Sequence, residues 1–173
     1  IALLNANFDK SPAAVGDVIP SFTDSNADLK WTPVTMTGRY LADQIVYARN
    51  RVADGGIGFE QLVMFVDDAS KDVLLIDRGW VAANDNYSAP LKPPAVPTST
   101  LTITARLMPT EQTIEGRSAP DGQIATIHVP TLAGWMTFDS PTVYANWYAR
   151  IDSESVKSST GATWEKPVLD EGP

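Results

Sequence analysis

The chain has 173 residues, 43% of them hydrophobic, with 21 acidic against 13 basic side chains for a formal charge of −8, and no cysteine. That length is one domain's worth of core, and the acidic balance argues against a phosphate-backbone partner, which needs clustered Lys and Arg, so no nucleic acid is expected. The missing thiols exclude disulfides, thiolate catalysis and every Cys-ligated metal site.

Residues 1 to 18 hold a short apolar-faced, helix-like segment broken by Pro12, and residues 21 to 30 read as a polar linker rich in Asp, Asn and Ser. From Val34 to Leu41, Val34, Met36, Gly38 and Tyr40 share one face and Thr35, Thr37, Arg39 and Leu41 the other, the period-two pattern of a half-buried strand. Residues 44 to 52 continue the alternation, Asp54-Gly55-Gly56 supplies a tight reversal, and Phe59 to Val66 returns as a strand. Its apolar run, Leu62-Val63-Met64-Phe65-Val66, is far below the roughly 18 residues that a membrane span requires.

Asp67 to Asp72 forms a polar hairpin loop before Val73-Leu74-Leu75-Ile76, an unbroken apolar run that predicts a strand buried on both faces. This run ends in Asp77-Arg78-Gly79-Trp80, where a glycine that allows a bulge sits between a guanidinium and an indole. Two readings of the turn stand side by side. In one, Trp80 caps the core and Arg78 pairs with Asp77 or with a carboxylate across the sheet. In the other, Arg78 and Trp80 face a partner, since Arg and Trp are enriched where binding energy concentrates.

Pro90, Pro93, Pro94 and Pro97 predict an extended spacer from Ala89 to Thr98. Leu101 to Leu107, residues 123 to 129 and residues 143 to 151 supply three more strands, with a short helix over residues 130 to 137. The fold class is therefore mainly β: a single antiparallel β-barrel or folded-over sheet that hides its edges, with short helices at the N-terminus and near 130–137. One domain over 1–173 is expected, divided into an N-terminal segment and linker (1–30), a β core (31–151) and a C-terminal tail (152–173).

Enzymatic signatures are sparse. His128, the lone histidine, alternates with apolar positions in the strand expected at 123–129, and no Gly-x-Ser-x-Gly elbow is present. The carboxylate pairs Asp67-Asp68 and Asp170-Glu171 lie in polar, turn-like surroundings, not where burial would raise a pKa for acid catalysis. Gly55-Gly56-Ile57-Gly58 lacks the Lys-Ser/Thr of a phosphate loop and reads as a hairpin. No catalytic or metal-ligating residue is assigned.

The segments together resemble one family, the surfeit locus protein 1 family of cytochrome c oxidase assembly factors. The likeness rests on Trp31-Thr32-Pro33-Val34 with Gly38-Arg39-Tyr40, on Gly55 to Leu62, on Arg78-Gly79-Trp80-Val81 as the most recognisable motif, and on Leu101 to Leu107 with Pro109 and Glu111. The flanks Asn5-Ala6-Asn7 with Pro12, and Lys166 to Pro173, are similar too.

The resemblance implies a non-enzymatic factor that assists haem a insertion into the large subunit of cytochrome c oxidase, or stabilises that subunit during maturation. It implies a bacterial cell membrane location, with this domain on the extracytoplasmic side between two membrane helices; the chain from Ile1 to Gly172-Pro173 would then be the piece trimmed of both. Expected partners are the oxidase large subunit or haem a delivery proteins. No cofactor is expected in this fragment, haem a belonging to the full-length membrane protein. Arg39, Arg78 and Trp80 are the candidate residues for an edge that binds partner or haem. Two rival classes are a generic extracytoplasmic ligand-binding β domain, requiring Trp31, Trp80, Trp147 and Trp164 around an exposed groove, and an enzyme, requiring two carboxylates that converge in a pocket.

Overall fold

A computed structural model describes residues 2–53, 55–139, 142–157 and 160–163. The flank Lys166 to Pro173, with the Asp170-Glu171 pair, and Trp164 lie outside the described residues. In chain order the elements are α1 (Ala2–Phe8), β1 (Ala13–Ala14), α2 (Val15–Val18), a 3-10 turn (Ala27–Leu29), β2 (Pro33–Tyr40), β3 (Val46–Ala53), β4 (Gly56–Asp67), β5 (Val73–Ala82), β6 (Leu101–Pro109), β7 (Gln123–Ile124), α3 (Val129–Trp135) and β8 (Val143–Glu154).

The protein is mainly β, as the alternating pattern predicts, with short helices at the two expected places. Its strands form one sheet in the order β1-β2-β6-β8-β5-β4-β3-β7, and a further pairing of β2 with β4 at Gly38 to Tyr40 bends five of them into a partial ring. The sheet is mixed and not purely antiparallel, because β5 pairs with β8 in parallel, as do β1 with β2 and β3 with β7. The physical reason is chain length. Sixty residues separate β5 from β8, room enough for the chain to recross before it pairs, whereas an antiparallel neighbour needs only a tight turn.

Each ring strand turns alternate side chains inward. Val34 and Met36 of β2, Val63 and Phe65 of β4, Leu74 and Ile76 of β5, Ile103 and Ala105 of β6, and Ala149 and Ile151 of β8 make one core. A second core lies on the outer face, where Leu62, Met64, Val73, Leu75 and Tyr148 meet Val46 and Ala48 of β3 and Val129 and Leu132 of α3. Val73 to Ile76 are thus buried on both faces, and each has no exposed surface.

Two expectations are corrected. The strand expected over residues 123 to 129 is only Gln123–Ile124; His128 is the residue before α3, with extended backbone, and Pro130 opens that helix where a missing N–H costs nothing. The polar segment 21–30 is not a free linker, since the carbonyls of Thr23 and Asp24 accept hydrogen bonds from Asn146 Nδ2 and Trp147 Nε1. Asn7 holds the other side of this segment through its amide to the carbonyls of Asp28 and Lys30.

Candidate functional site

The Asp77-Arg78-Gly79-Trp80 turn is a β-bulge inside β5. Leu62 of β4 faces Asp77 and Glu60 faces Trp80, so Arg78 and Gly79 together oppose Gln61 alone. Gly79 has φ +113°, and a Cβ there would come within 2.6 Å of the backbone of Gly161. Only glycine fits both constraints. The chain after β8 is laid against this bulge by hydrogen bonds from Trp80 N to Ala162 O (2.9 Å), Ala162 N to Trp80 O (2.8 Å) and Gly161 N to Arg78 O (2.9 Å).

Because side chains alternate along β5, Arg78 points into the ring while Asp77 points out. Arg78 has no exposed surface. Its Nε and Nη2 donate to Glu154 at 2.9 and 3.0 Å, and its Nη1 donates to Gln61 Oε1 and to the carbonyl of Ala95. Tyr40 donates its hydroxyl to the same Glu154, and its ring lies 5.3 Å from the guanidinium. Gln61 Nε2 donates to the carbonyl of Pro94, so the proline-rich segment closes this end of the ring with acceptors. Burial pulls the Arg78 pKa down, but the hydrogen bonds and charge of Glu154 outweigh it and the pKa is raised; burial and Glu154 push the Tyr40 hydroxyl far up. The pair is a fixed ion pair and not a proton donor.

On the outer face, Asp77 also has no exposed surface, and Glu60 is buried beside it. Asp77 Oδ1 accepts from Gly79 N at 3.0 Å, and Glu60 Oε2 accepts from Arg51 Nε. Burial, with the charge of Glu60 beside it, raises the Asp77 pKa well above the carboxylate range, against the Gly79 N–H and Arg150. Among the described residues, Asp77 Oδ2 and Glu60 Oε1 are buried without a hydrogen-bond partner. Arg51 also grips Glu111 with two bonds at 2.7 and 3.0 Å, and Glu111 accepts from Ile127 N at 2.8 Å. Burial alone would raise Glu111, but Arg51, the Ile127 amide and Arg150 lower it.

Trp80, half-buried, shares this outer face. Its Nε1 donates to the carbonyl of Arg51, and its ring lies over Gly58, where an added Cβ would be 2.7 Å from the indole. It also lines a cavity of about 390 Å³ with Leu91, Lys92, Pro94 and Gly161. Arg39 is exposed, donates to the carbonyl of Thr98, and lines a cavity of about 440 Å³ with Leu41, Val66, Lys71 and Phe138 and the acids Asp68 and Asp139.

The three residues singled out from sequence are therefore not brought together. Arg39 faces Val66 and Trp80 faces Glu60, six positions apart on β4 or about 20 Å, and Arg78 is inside. Arg78 takes the carboxylate across the sheet, Glu154, and not Asp77, which lies on the other face beside Glu60. Sequence reasoning did not assign Glu154 and Tyr40 to the site, nor, in the strand runs, Gln61, Glu60 and the role of Asp77. The signal for the last three was present: Glu60-Gln61 adjoins one apolar strand run and Asp77 another, and an acid or amide there must find a buried partner.

Among the described residues, Trp31 and Trp147 are buried and line none of the four described cavities, so the aromatic groove is not assembled. Glu60 and Asp77 meet in the core away from those cavities, while Asp68 and Asp139 share one cavity with the cations Arg39 and Lys71. No described helix is long and apolar enough to cross a membrane.

Fold and site thus define a mainly β protein whose most distinctive motif is an internal bulge carrying a buried ion pair and receiving the chain that follows β8. The chain belongs to the SURF1 family, whose model matches residues 1–171; members are in general cytochrome oxidase assembly factors associated with membranes. It is 36% identical over 140 residues to the uncharacterized SURF1-like proteins Rv2235 of Mycobacterium tuberculosis (strain ATCC 25618 / H37Rv) and Mb2259 of Mycobacterium bovis (strain ATCC BAA-935 / AF2122/97), an overlap covering 74% of this chain and 51% of each relative. The chain spans about half the length of the curated relatives it matches.

Proposed function

We propose that this chain is the extracytoplasmic part of a non-enzymatic assembly factor for cytochrome c oxidase in a bacterial cell membrane, assisting haem a insertion or stabilising the large subunit while it matures. The observation that carries this reading is the family match along residues 1–171. The site chemistry accords with it. The charged side chains of the bulge are spent on one another within the fold, as a scaffold requires, and no carboxylate shares the cavity lined by His128.

Haem a is the cargo in this reading, and no resident haem is assigned to this domain. Carrying haem needs an iron ligand beside a slot for the macrocycle. The imidazole of His128 lines a cavity of about 310 Å³, at the floor of the size range for drug-sized ligands. Met36, Met64 and Met108 are buried in the cores, and Met136 is partly buried against the outer one. The part assigned to this domain is docking, with Arg39 at one end of β4 and Trp80 with Lys92 at the other as the contacts, and Arg78 positioning the bulge from within.

The test is a pull-down from membranes with the full-length protein carrying Arg39→Glu and Lys92→Glu, scored by co-purified large subunit and by haem a absorbance. Severalfold loss of both from a stably folded variant is the expected result. Unchanged recovery removes the docking surface, and an undiminished haem a content in cells lacking the protein altogether removes the assembly role.

A further inference from the structure

Residues 110–122, between β6 and β7, run for thirteen positions without a helix or strand. Ordered loops beyond about 12 residues are uncommon and are usually functional. This one is pinned at both ends: Glu111 is held by Arg51 and by the Ile127 amide, and Gln123, just past the loop, donates to the carbonyl of Ser88. Between these anchors the loop stands off α3 and encloses a cleft of two adjoining lobes, of about 310 and 430 Å³, with Ala119 and Trp135 common to both. Trp135 is 56% exposed and Ile114, on the rim, 46%. Two large apolar side chains held in water beside a concavity are an unfilled packing surface.

The smaller lobe has a definite chemistry. Ile114, Ile124 and Trp135 supply apolar wall, hydroxyls come from Thr113, Ser118, Thr126 and Thr131, and the charged group is Arg117, with the His128 imidazole in the same lining. Among the described residues no carboxylate lines this lobe, and the one acid of the cleft, Asp121, lines the larger lobe. The Arg117 guanidinium, always charged, has no ion pair or hydrogen bond among the described residues; only its backbone N–H is used, to Ile114 O. The imidazole is oriented by Thr131, whose Oγ1 lies 2.7 Å from Nδ1.

We infer that this cleft is a binding site for a small organic anion with a flat apolar body, the carboxylate held by Arg117 and the lobe's hydroxyls and the body stacked on Trp135 against Ile124. An exposed cation in a lobe without acids attracts an anion, and an exposed indole beside an aliphatic wall takes a planar apolar group. The site is separate from the β5 bulge and independent of the assembly role, so its loss leaves that role standing.

The chain has one histidine, which gives a single reporter: the His128 Cε1–H resonance, followed together with the Trp135 indole resonance by NMR during titration with 1-naphthylacetate or its neutral analogue 2-(1-naphthyl)ethanol. Saturable shifts of both resonances are expected, with the acid binding at least about tenfold tighter than the alcohol. Arg117→Gln, at an exposed position, is expected to bring the acid down to the affinity of the alcohol and leave the alcohol unchanged. Trp135→Ala is expected to abolish the response to both. Equal affinity for acid and alcohol, an Arg117→Gln variant that binds the acid as tightly as the parent, or no saturation at millimolar probe each overturns the inference.

Discussion

On the inner face of β5 a cation meets its anion: Arg78 holds Glu154 with two hydrogen bonds, and Tyr40, Gln61 and the Ala95 carbonyl take up neighbouring positions. On the outer face, one residue earlier, an acid meets an acid, and burial and Glu60 hold the Asp77 pKa well above the usual carboxylate range. Both faces exclude water, so both must neutralise what they bury. The inner face pairs its charges, while the outer face pairs Glu60 with Arg51 and raises the pKa of Asp77. Adjacent residues of one strand thus carry opposite responses to mutation and to pH.

The largest effect is expected from breaking the ion pair. Arg78→Met leaves Glu154, whose side chain is 2% exposed, charged in the core, and should cost about 3–5 kcal/mol in urea unfolding at neutral pH. Arg78→Met with Glu154→Leu should recover much of that loss, because the pair is then replaced by apolar groups. A single variant that costs under about 1 kcal/mol would show that the inner face does not depend on this pair.

Next comes the bulge that keeps the two faces in phase. Gly79→Ala puts a Cβ against the Gly161 backbone at positive φ, and should cost about 1–3 kcal/mol of strain. Faster amide exchange at Trp80, Gly161 and Ala162 is expected with it, as the strap after β8 lifts away. Protection retained at those three amides would separate the bulge from the strap.

The smallest effect has the opposite sign. An acid that titrates higher in the fold than in the unfolded chain makes the folded state the tighter proton binder, so its stabilisation is full below the unfolded value and is lost as pH rises through the folded one. Asp77→Asn keeps the acceptor for Gly79 N and a donor toward Glu60 without a proton to lose. It should flatten that decline and raise the unfolding midpoint by a few degrees at pH 8, with little change at pH 4. Glu111 runs the other way, since its lowered pKa makes its contribution present at neutral pH and lost on acidification. A lower midpoint for Asp77→Asn at pH 8 would mean that Asp77 is ionised there.

Much of the fold was legible because alternation is a local property. The inward set of β2, the doubly buried run at Val73 to Ile76 and the alternation from Leu101 to Leu107 are written in residue type at period two, and burial follows from it. The pattern failed at residues 123 to 129, where Ile127 and Val129 are buried and His128 between them is half-buried, as a strand pattern would have them, yet a helix with Pro130 in its first turn begins at Val129. The candidate site was half legible. A glycine between Arg78 and Trp80 marked a bulge, while nothing local could say that Arg78 would meet a carboxylate 76 residues downstream.

By itself, the order of residues determined the class of the fold, the strands that are buried, the family and the place of the bulge, because each depends on side-chain period or on backbone freedom at one position. Only the tertiary structure decided which way the charges face. The parallel pairing of β5 with β8 carries Glu154 to Arg78, the bulge turns Asp77 toward Glu60, and the loop after β6 brings Arg117 to the cleft beside Trp135. Those are contacts between distant segments, and their energies arise when the sheet closes and water leaves.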